Sequence, residues 1–371
     1  MIMRGFQYMN KRTAFKNVAT LALLSPCFVQ ANSAIEMHFF ADEPAELIVA
    51  NSSVENNEPK MQMVIFTADE EQAGSDASYY EEEDSYSFSY YLDSSYQQDS
   101  VSWSVASPTG RPDTLTEMQW DNLSMMGVDV GFKAEMPYNL VLKGDAGYAW
   151  EISGDSRQVF YARDGKTQPF SDISGDTEKS YSWHGSFALG YALDFGLSDN
   201  SPVSFNLTPL VGYAWREQNL KSNHGQQRLE EFNPVDPESL DQQNSYSTSW
   251  YGPWLGADLT LIAFKKHQLF SSFQHHWADY KAEGHWRQSQ DLQQPKSFEH
   301  EADATGVVAS AGYRYLTDDD WGLSISVDYQ NWNAESGSET LYTNNDEQFN
   351  SQLNEVDWES VGVNLGVNVR F

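Results

Sequence analysis

The sequence predicts an all-β chain: a transmembrane antiparallel β-barrel of about ten strands, preceded by a signal peptide and a largely disordered acidic arm. Three observations lead there. No stretch of ~18 apolar residues offers a membrane-crossing helix. Beyond about residue 98, segment after segment alternates apolar and polar residues with a period of two. Short and long connections between those segments take turns, the pattern of periplasmic turns and outer loops.

The first element is the export segment, residues 1–31. A basic start (Lys11, Arg12, Lys16), an apolar run from Val18 to Leu24 and a small-residue exit ending at Ala31 give the three-part form of a cleaved signal peptide. Its apolar part is too short to span a bilayer. Cys27 is the one cysteine of the chain, and Pro26 occupies the place where a lipoprotein cleavage box needs a small residue. The mature chain is therefore expected to carry neither a lipid anchor nor a thiol.

Residues 32–97 form the second element. From Ile35 to Gln97 the chain holds fifteen Asp and Glu against one Lys, Lys60. Such a block repels itself and buries little, which predicts a largely disordered periplasmic arm. The whole chain has a net charge of −32, from 54 acidic and 22 basic residues, so long-range repulsion excludes nucleic acid as a partner.

The third element is the barrel, residues 98–371, and its last segment shows the alternation most plainly. Val361, Val363, Leu365, Val367, Val369 and Phe371 share one face, while Gly362, Asn364, Gly366, Asn368 and Arg370 share the other. A large apolar face opposite a small, polar one suits lipid outside and a wet or ion-paired lumen inside. The same parity places strands at 98–106, 113–135, 138–152, 180–196, 202–220, 246–264, 267–283, 302–316, 320–334 and 355–371. Ten is an even number, as single-chain bacterial barrels have. Long outer loops are then expected at 153–179, 221–245, 284–301 and 335–354, where any ligand contact would reside. Tyr148, Trp150, Trp215, Trp277 and Trp321 fall near strand ends, where aromatic girdles sit.

By parity the lumen receives Asp129, Lys133, Glu135, Lys143, Asp145, Glu151, Asp194, Arg216, Asp258, Arg314 and Asp328. In so narrow a barrel these charges are expected to pair and block the pore rather than to line a conduction path. Motifs for nucleophilic catalysis, zinc or phosphate binding are absent from the sequence. His275 and His276 are adjacent in a strand, point to opposite faces and cannot chelate one metal together, and His276 is expected to be a hydrogen-bonded interior residue. No cofactor or metal is expected.

The ten-strand, five-loop plan of residues 98–371 resembles the omptins, outer-membrane proteases. Local wording is similar to the Protochlamydia outer membrane protein family. The stretches that carry this are Leu207 to Tyr213, Gly252 to Gly256, His276 to Tyr280, Pro295 to Asp303 and Leu353 to Ser360. The resemblance implies a barrel in a Gram-negative outer membrane and brings no defined activity. Omptin chemistry is attributed to a water held between an Asp pair and an Asp-His pair, and general-base catalysis needs both halves. Glu283 and His285 resemble the second half. At the first, Asp155 remains alone, with Arg157 where its partner belongs, and odd parity turns Glu283 and His285 outward. The expectation is a non-enzymatic surface barrel without catalytic residues; an omptin-like endoprotease and a small-solute porin are the alternatives. The expected partners are outer-membrane lipid and lipopolysaccharide, and the barrel-assembly machinery through the last strand and Phe371.

Overall fold

The computed structural model describes residues 86–196, 202–229, 243–317 and 320–371. The expected signal peptide, and the expected acidic arm up to residue 85, lie outside them. The described strands are β1 (Ser87–Val105), β2 (Thr116–Met136), β3 (Leu140–Arg163), β4 (Thr167–Asp176), β5 (Tyr181–Tyr191), β6 (Leu193–Gly196), β7 (Val203–Gln227), β8 (Asn244–Ala263), β9 (His267–His285), β10 (Phe298–Leu316), β11 (Trp321–Ala334), β12 (Gly337–Tyr342) and β13 (Gln348–Arg370). Each pairs antiparallel with its neighbours, and β1 closes on β13 from Ser89 opposite Arg370 to Ser104 opposite Glu355. Two staves are segmented: β4, β5 and β6 follow one another between β3 and β7, and β11 is continued by β12 between β10 and β13. The ring therefore has ten staves, as the alternation predicts.

The staves are longer than the alternation suggested. Eight of them hold single strands of 19 to 25 residues, whereas roughly 9–11 tilted residues cross a bilayer. β13 explains the surplus. Over 361–369 its outward residues are apolar and Asn364 and Asn368 are buried inside; over 355–359 the outward residues are Glu355, Asp357 and Glu359, and Val356 and Trp358 are buried inside. Parity is kept while the chemistry of the two faces is exchanged. β9 makes the same exchange: Leu269, Phe273 and Trp277 face out below, Asp279, Lys281 and Glu283 face out above, and Tyr280 and Ala282 turn inward. The lower tier is dressed for lipid, and the upper tier is dressed for water around an apolar core.

This exchange corrects two expectations. The supposed loop 153–179 is mostly strand, because β3 runs on to Arg163 and β4 returns from Thr167 to Asp176. The supposed loop 335–354 holds β12 and the start of β13. The first stave also begins at Ser87, so residues 87–97, read as the end of the arm, pair with both β2 and β13. Two connections expected to be short are so: Pro137 to Asn139 and Phe264 to Lys266 turn through left-handed residues, with φ of 62° at Tyr138 and 60° at Lys265. On β2 a bulge at Asn122 (φ 53°) faces Gly154 of β3, where a Cβ would strike Thr177 and Leu123. A larger residue there would have to displace the Thr177 and Leu123 side chains.

Candidate functional site in the barrel interior

The lower tier holds the charges that parity sent inward. Lys143 Nζ of β3 meets Asp258 Oδ2 of β8 at 2.8 Å, and these staves stand on different sides of the ring, so the pair crosses the lumen. Arg216 of β7 lies within electrostatic reach of Asp129, Asp145 and Asp328. Its guanidinium also rests 5.3 Å from the ring centroid of Trp332 on β11. His184 Nε2 sits 3.6 Å from Asp145 Oδ2 and 3.8 Å from Asp129 Oδ1. Arg314 donates from Nη1 to Gln268 Oε1 at 3.2 Å and stacks over Phe270 at 5.0 Å. Lys133 and Glu135 pair along one strand at 2.8 Å.

Glu151 departs from this set. It closes the break between β4 and β5, where its carboxylate accepts from Thr177 Oγ1 and from the Ser180 N–H. His276 is buried, and its Nε2 lies 3.0 Å from Gln274 Oε1, between the rings of Trp254 and Trp332. His275 packs edge-on against the outward Trp277, so the two histidines do face apart.

Above this level the interior is aromatic. Trp103, Trp120, Tyr246, Trp250, Tyr280, Trp286, Phe298, Trp332 and Trp358 belong to one buried cluster. Trp120 of β2 donates from Nε1 to the Lys221 carbonyl of β7 at 3.1 Å, and Trp286 donates to Gln158 Oε1 of β3 at 3.1 Å. Walls that are not neighbours in the ring thus touch at three heights. Trp286 comes from the 286–297 connection, which folds down over the cluster and is held by Ser297 Oγ and Gln294. The sequence reading missed this tier. Its signal was available: Trp250, Trp332 and Trp358 all fall on the inward parity of their strands.

The residues considered for omptin-like chemistry do not converge. Asp155 lies on the outer face of β3 and accepts from Asn122 Nδ2 at 3.0 Å. Glu283 and His285 lie on β9, four staves away around the ring, with the buried aromatic cluster inside it. Glu283 pairs with Lys296 at 3.0 Å, and His285 Nε2 accepts from Arg287 Nε at 3.3 Å. Partial burial and the Arg287 charge both lower the His285 pKa. Among the described residues no three His, Cys, Asp or Glu side chains could hold one metal ion.

Lys296 makes a clasp on the outer wall of the upper tier, bridging Glu283 and Glu299, while Tyr342 donates to Glu299 Oε1 at 2.5 Å. Burial opposes the ammonium, yet the hydrogen bonds to Glu299 and Glu283 outweigh it and push the Lys296 pKa up. The hydrogen bond from Lys296, and then that from Tyr342, holds Glu299 below the ordinary carboxylate range. A depressed carboxylate stabilises above its unfolded pKa and ceases to as pH falls through the folded one; a raised lysine stabilises below its unfolded pKa and ceases to as pH rises through the folded one. The clasp is therefore complete at neutral pH and fails in acid. Amide exchange across 286–299 is expected to accelerate on acidification beyond its intrinsic pH trend, and Lys296→Met is expected to erase that extra response.

Residues 91–371 match the family described as Protochlamydia outer membrane protein. No curated protein sequence matches the chain. Among solved structures, the chain is similar to the outer membrane protease OmpT from Escherichia coli, at 11% identity and TM-score 0.57, covering 77% of this chain and 97% of that one. The translocator domain of the autotransporter NalP from Neisseria meningitidis gives 12% identity and TM-score 0.30, with 76% and 88% covered. A FadL homologue from Pseudomonas aeruginosa gives 10% and 0.21, with 76% and 90% covered.

Proposed function

The chain belongs to the Protochlamydia outer membrane protein family and is an integral β-barrel of a Gram-negative outer membrane, and from that premise we propose that it is a non-enzymatic surface barrel with an occluded lumen. One observation carries this reading: direct contacts between non-neighbouring walls, through Lys143 to Asp258, Trp120 to Lys221 and Trp286 to Gln158. A diffusive pore needs a continuous aqueous path, and an omptin-like protease needs a wet cleft between its two half-sites. The packed aromatic cluster speaks against both. The likeness to OmpT speaks for the ten-stave ring alone.

The test uses the full barrel, refolded with lipopolysaccharide. Planar-bilayer recording is expected to give no stable conductance, and fluorogenic dibasic peptides are expected to remain uncut. Porin-sized current would favour transport instead. Cleavage that disappears in His285→Ala would favour the protease.

Two partners are part of the proposal. Outer-membrane lipid and lipopolysaccharide surround the lower tier, whose exposed face carries Leu92, Phe187, Leu269, Phe273, Leu323 and Leu365. The barrel-assembly machinery would engage β13 before it closes on β1. At that seam Phe371 exchanges backbone hydrogen bonds with Phe88 at 2.8 and 3.1 Å, and its ring lies 6.1 Å from that of Tyr90. Changing Phe371 to Asp places a charge on the lipid side of the seam, and outer-membrane accumulation of heat-modifiable barrel is expected to drop sharply. Unchanged accumulation would remove β13 and its terminal ring from the assembly proposal.

A further inference from the structure

Four side chains form one hydrogen-bonded line through the aromatic tier. Tyr280 Oη lies 2.5 Å from Tyr246 Oη, and Tyr246 Oη lies 2.6 Å from His300 Nδ1. His300 Nε2 lies 3.0 Å from Glu339 Oε2, and Ser351 Oγ donates to the other oxygen of Glu339 at 2.9 Å. All four are buried, Tyr246 and His300 completely.

The protons can be placed from the donor inventory. An ionised carboxylate only accepts, so His300 donates to Glu339 from Nε2. The neutral imidazole is then left with Nδ1 as an acceptor, and Tyr246 O–H donates into it. Tyr280 O–H in turn donates to the Tyr246 oxygen. The result is a phenol hydrogen-bonded to a base whose tautomer is fixed by a carboxylate. Packing alone does not call for this, because phenylalanine would fill positions 246 and 280 without a buried polar atom to satisfy.

The phenol also has electronic neighbours. Trp120 stacks on Tyr246 at 5.5 Å and 14°, and Trp103 lies 5.8 Å away. Trp103 continues to Trp286 at 6.2 Å, beneath the outer mouth. On the other side Tyr280 touches Trp250 at 4.2 Å. Indoles and phenols are the protein side chains most readily oxidised by one electron, and here they stand ring to ring. Burial, and then Tyr280 and Glu339, push the Tyr246 pKa well above that of an ordinary phenol. Phenolate is therefore not the species that loses an electron, and a phenol radical cation would be a costly charge in an apolar tier. The inexpensive route removes electron and proton together, and His300 Nδ1 is placed to receive the proton.

We propose that Tyr246 is a redox-active tyrosine, giving its electron through the adjoining tryptophans to an oxygen-centred radical at the outer surface and its proton to His300. The Tyr246 O–H bond breaks, leaving a neutral phenoxyl radical. An N–H bond forms at His300 Nδ1, and Glu339 holds the resulting imidazolium. The oxidant, of the class X–O•, gains the electron and a solvent proton and becomes X–OH. One electron from an external reductant and return of the proton from His300 restore the phenol.

The test is photo-oxidation of the full chain in detergent with a ruthenium polypyridyl complex and persulfate, read by electron paramagnetic resonance. Wild-type barrel is expected to give two tyrosyl components: one quenched at once by added ascorbate, from exposed tyrosines, and one that resists it. The protected component is expected to form more slowly in D2O and to vanish in Tyr246→Phe. Glu339→Gln, which leaves the phenol in place, is expected to retain it with slower formation. Should Tyr246→Phe fail to fold, site-specific 3-fluorotyrosine at position 246 keeps size and hydrogen bonding, and fluorine splitting must then appear in the protected signal. No protected component in wild type, its persistence in Tyr246→Phe, or its lack of fluorine splitting would each overturn the proposal.

Discussion

Trp250→Ala is expected to destabilise the barrel by about 3–5 kcal/mol, the usual range for removing a buried tryptophan ring. Trp250 is almost wholly buried, 4.2 Å from Tyr280, 5.9 Å from Trp332 and 6.3 Å from Trp358. These rings come from β8, β9, β11 and β13, so the substitution opens a cavity bordered by four staves, and rigid strands collapse into it poorly. The loss should be local. Below this tier Lys143 to Asp258 and the lipid-facing residues are untouched, so heat-modifiable migration is expected to persist. The measurement is a urea transition of barrel refolded in detergent, with tryptophan fluorescence for the upper tier and gel mobility for the whole. A midpoint unchanged from wild type would mean that the tier is loosely packed, and the occlusion proposed for the lumen would lose its support.

How far the sequence discloses this architecture depends on what drives each tier. In the lower tier lipid demands an apolar outer face, and Leu269, Phe273 and Trp277, or Val361 to Val369, announce it through a period of two. That is why ten staves, short turns and both kinds of lumen charge could be read directly. Above the lipid the same parity continues with the opposite chemistry: Asp279, Lys281 and Glu283 face out, and Tyr280 and Ala282 face in. A rule that seeks apolar residues on the outer face sees the strand stop there, and strands such as β3 beyond Ile152 are taken for loops. Trp332 and Trp358 lay on the inward parity throughout, where a wet or ion-paired lumen was expected and an apolar core was not.

The candidate site followed the same division. Lys143 and Asp258 were legible as lumen residues because each sits on the polar parity of its strand, although nothing in the spacing told which charge meets which. The line of Tyr246, Tyr280, His300 and Glu339 was not legible, since the strand expected from 246 put Tyr246 at the edge of a supposed loop, and His300 and Glu339 fell inside two others. In the structure β8 begins at Asn244 and Glu339 lies on β12. Glu283 and His285 form a local pattern, yet they stand four staves from Asp155 around the ring. Parity gave the right face for Lys143, Asp258, Glu283 and His285, but it failed at Glu151 and Asp155, where the register of β2 on β3 shifts, and the assumed strand ends were wrong.

Lys143→Met is expected to cost about 3–5 kcal/mol, because it leaves the Asp258 carboxylate desolvated and without its cation. The pair joins β3 to β8 across the lumen at 2.8 Å, with both side chains 18% exposed. Asp145 and Asp328 add negative charge nearby, so losing the ammonium also leaves mutual repulsion uncompensated. Removing both partners tests whether the cost is that of an orphaned charge or of a lost strut. If it is the charge, Lys143→Met with Asp258→Leu should recover most of the stability, since an apolar pair of similar volume fills the same space without desolvating ions. If it is the strut, the double variant should remain as weak as the single one. Urea midpoints of the three barrels, refolded in the same detergent, decide between the two. Recovery in the double variant together with silent bilayer recordings would mean that the lumen is occluded by packing, with the ion pair contributing register between the two walls rather than the barrier itself.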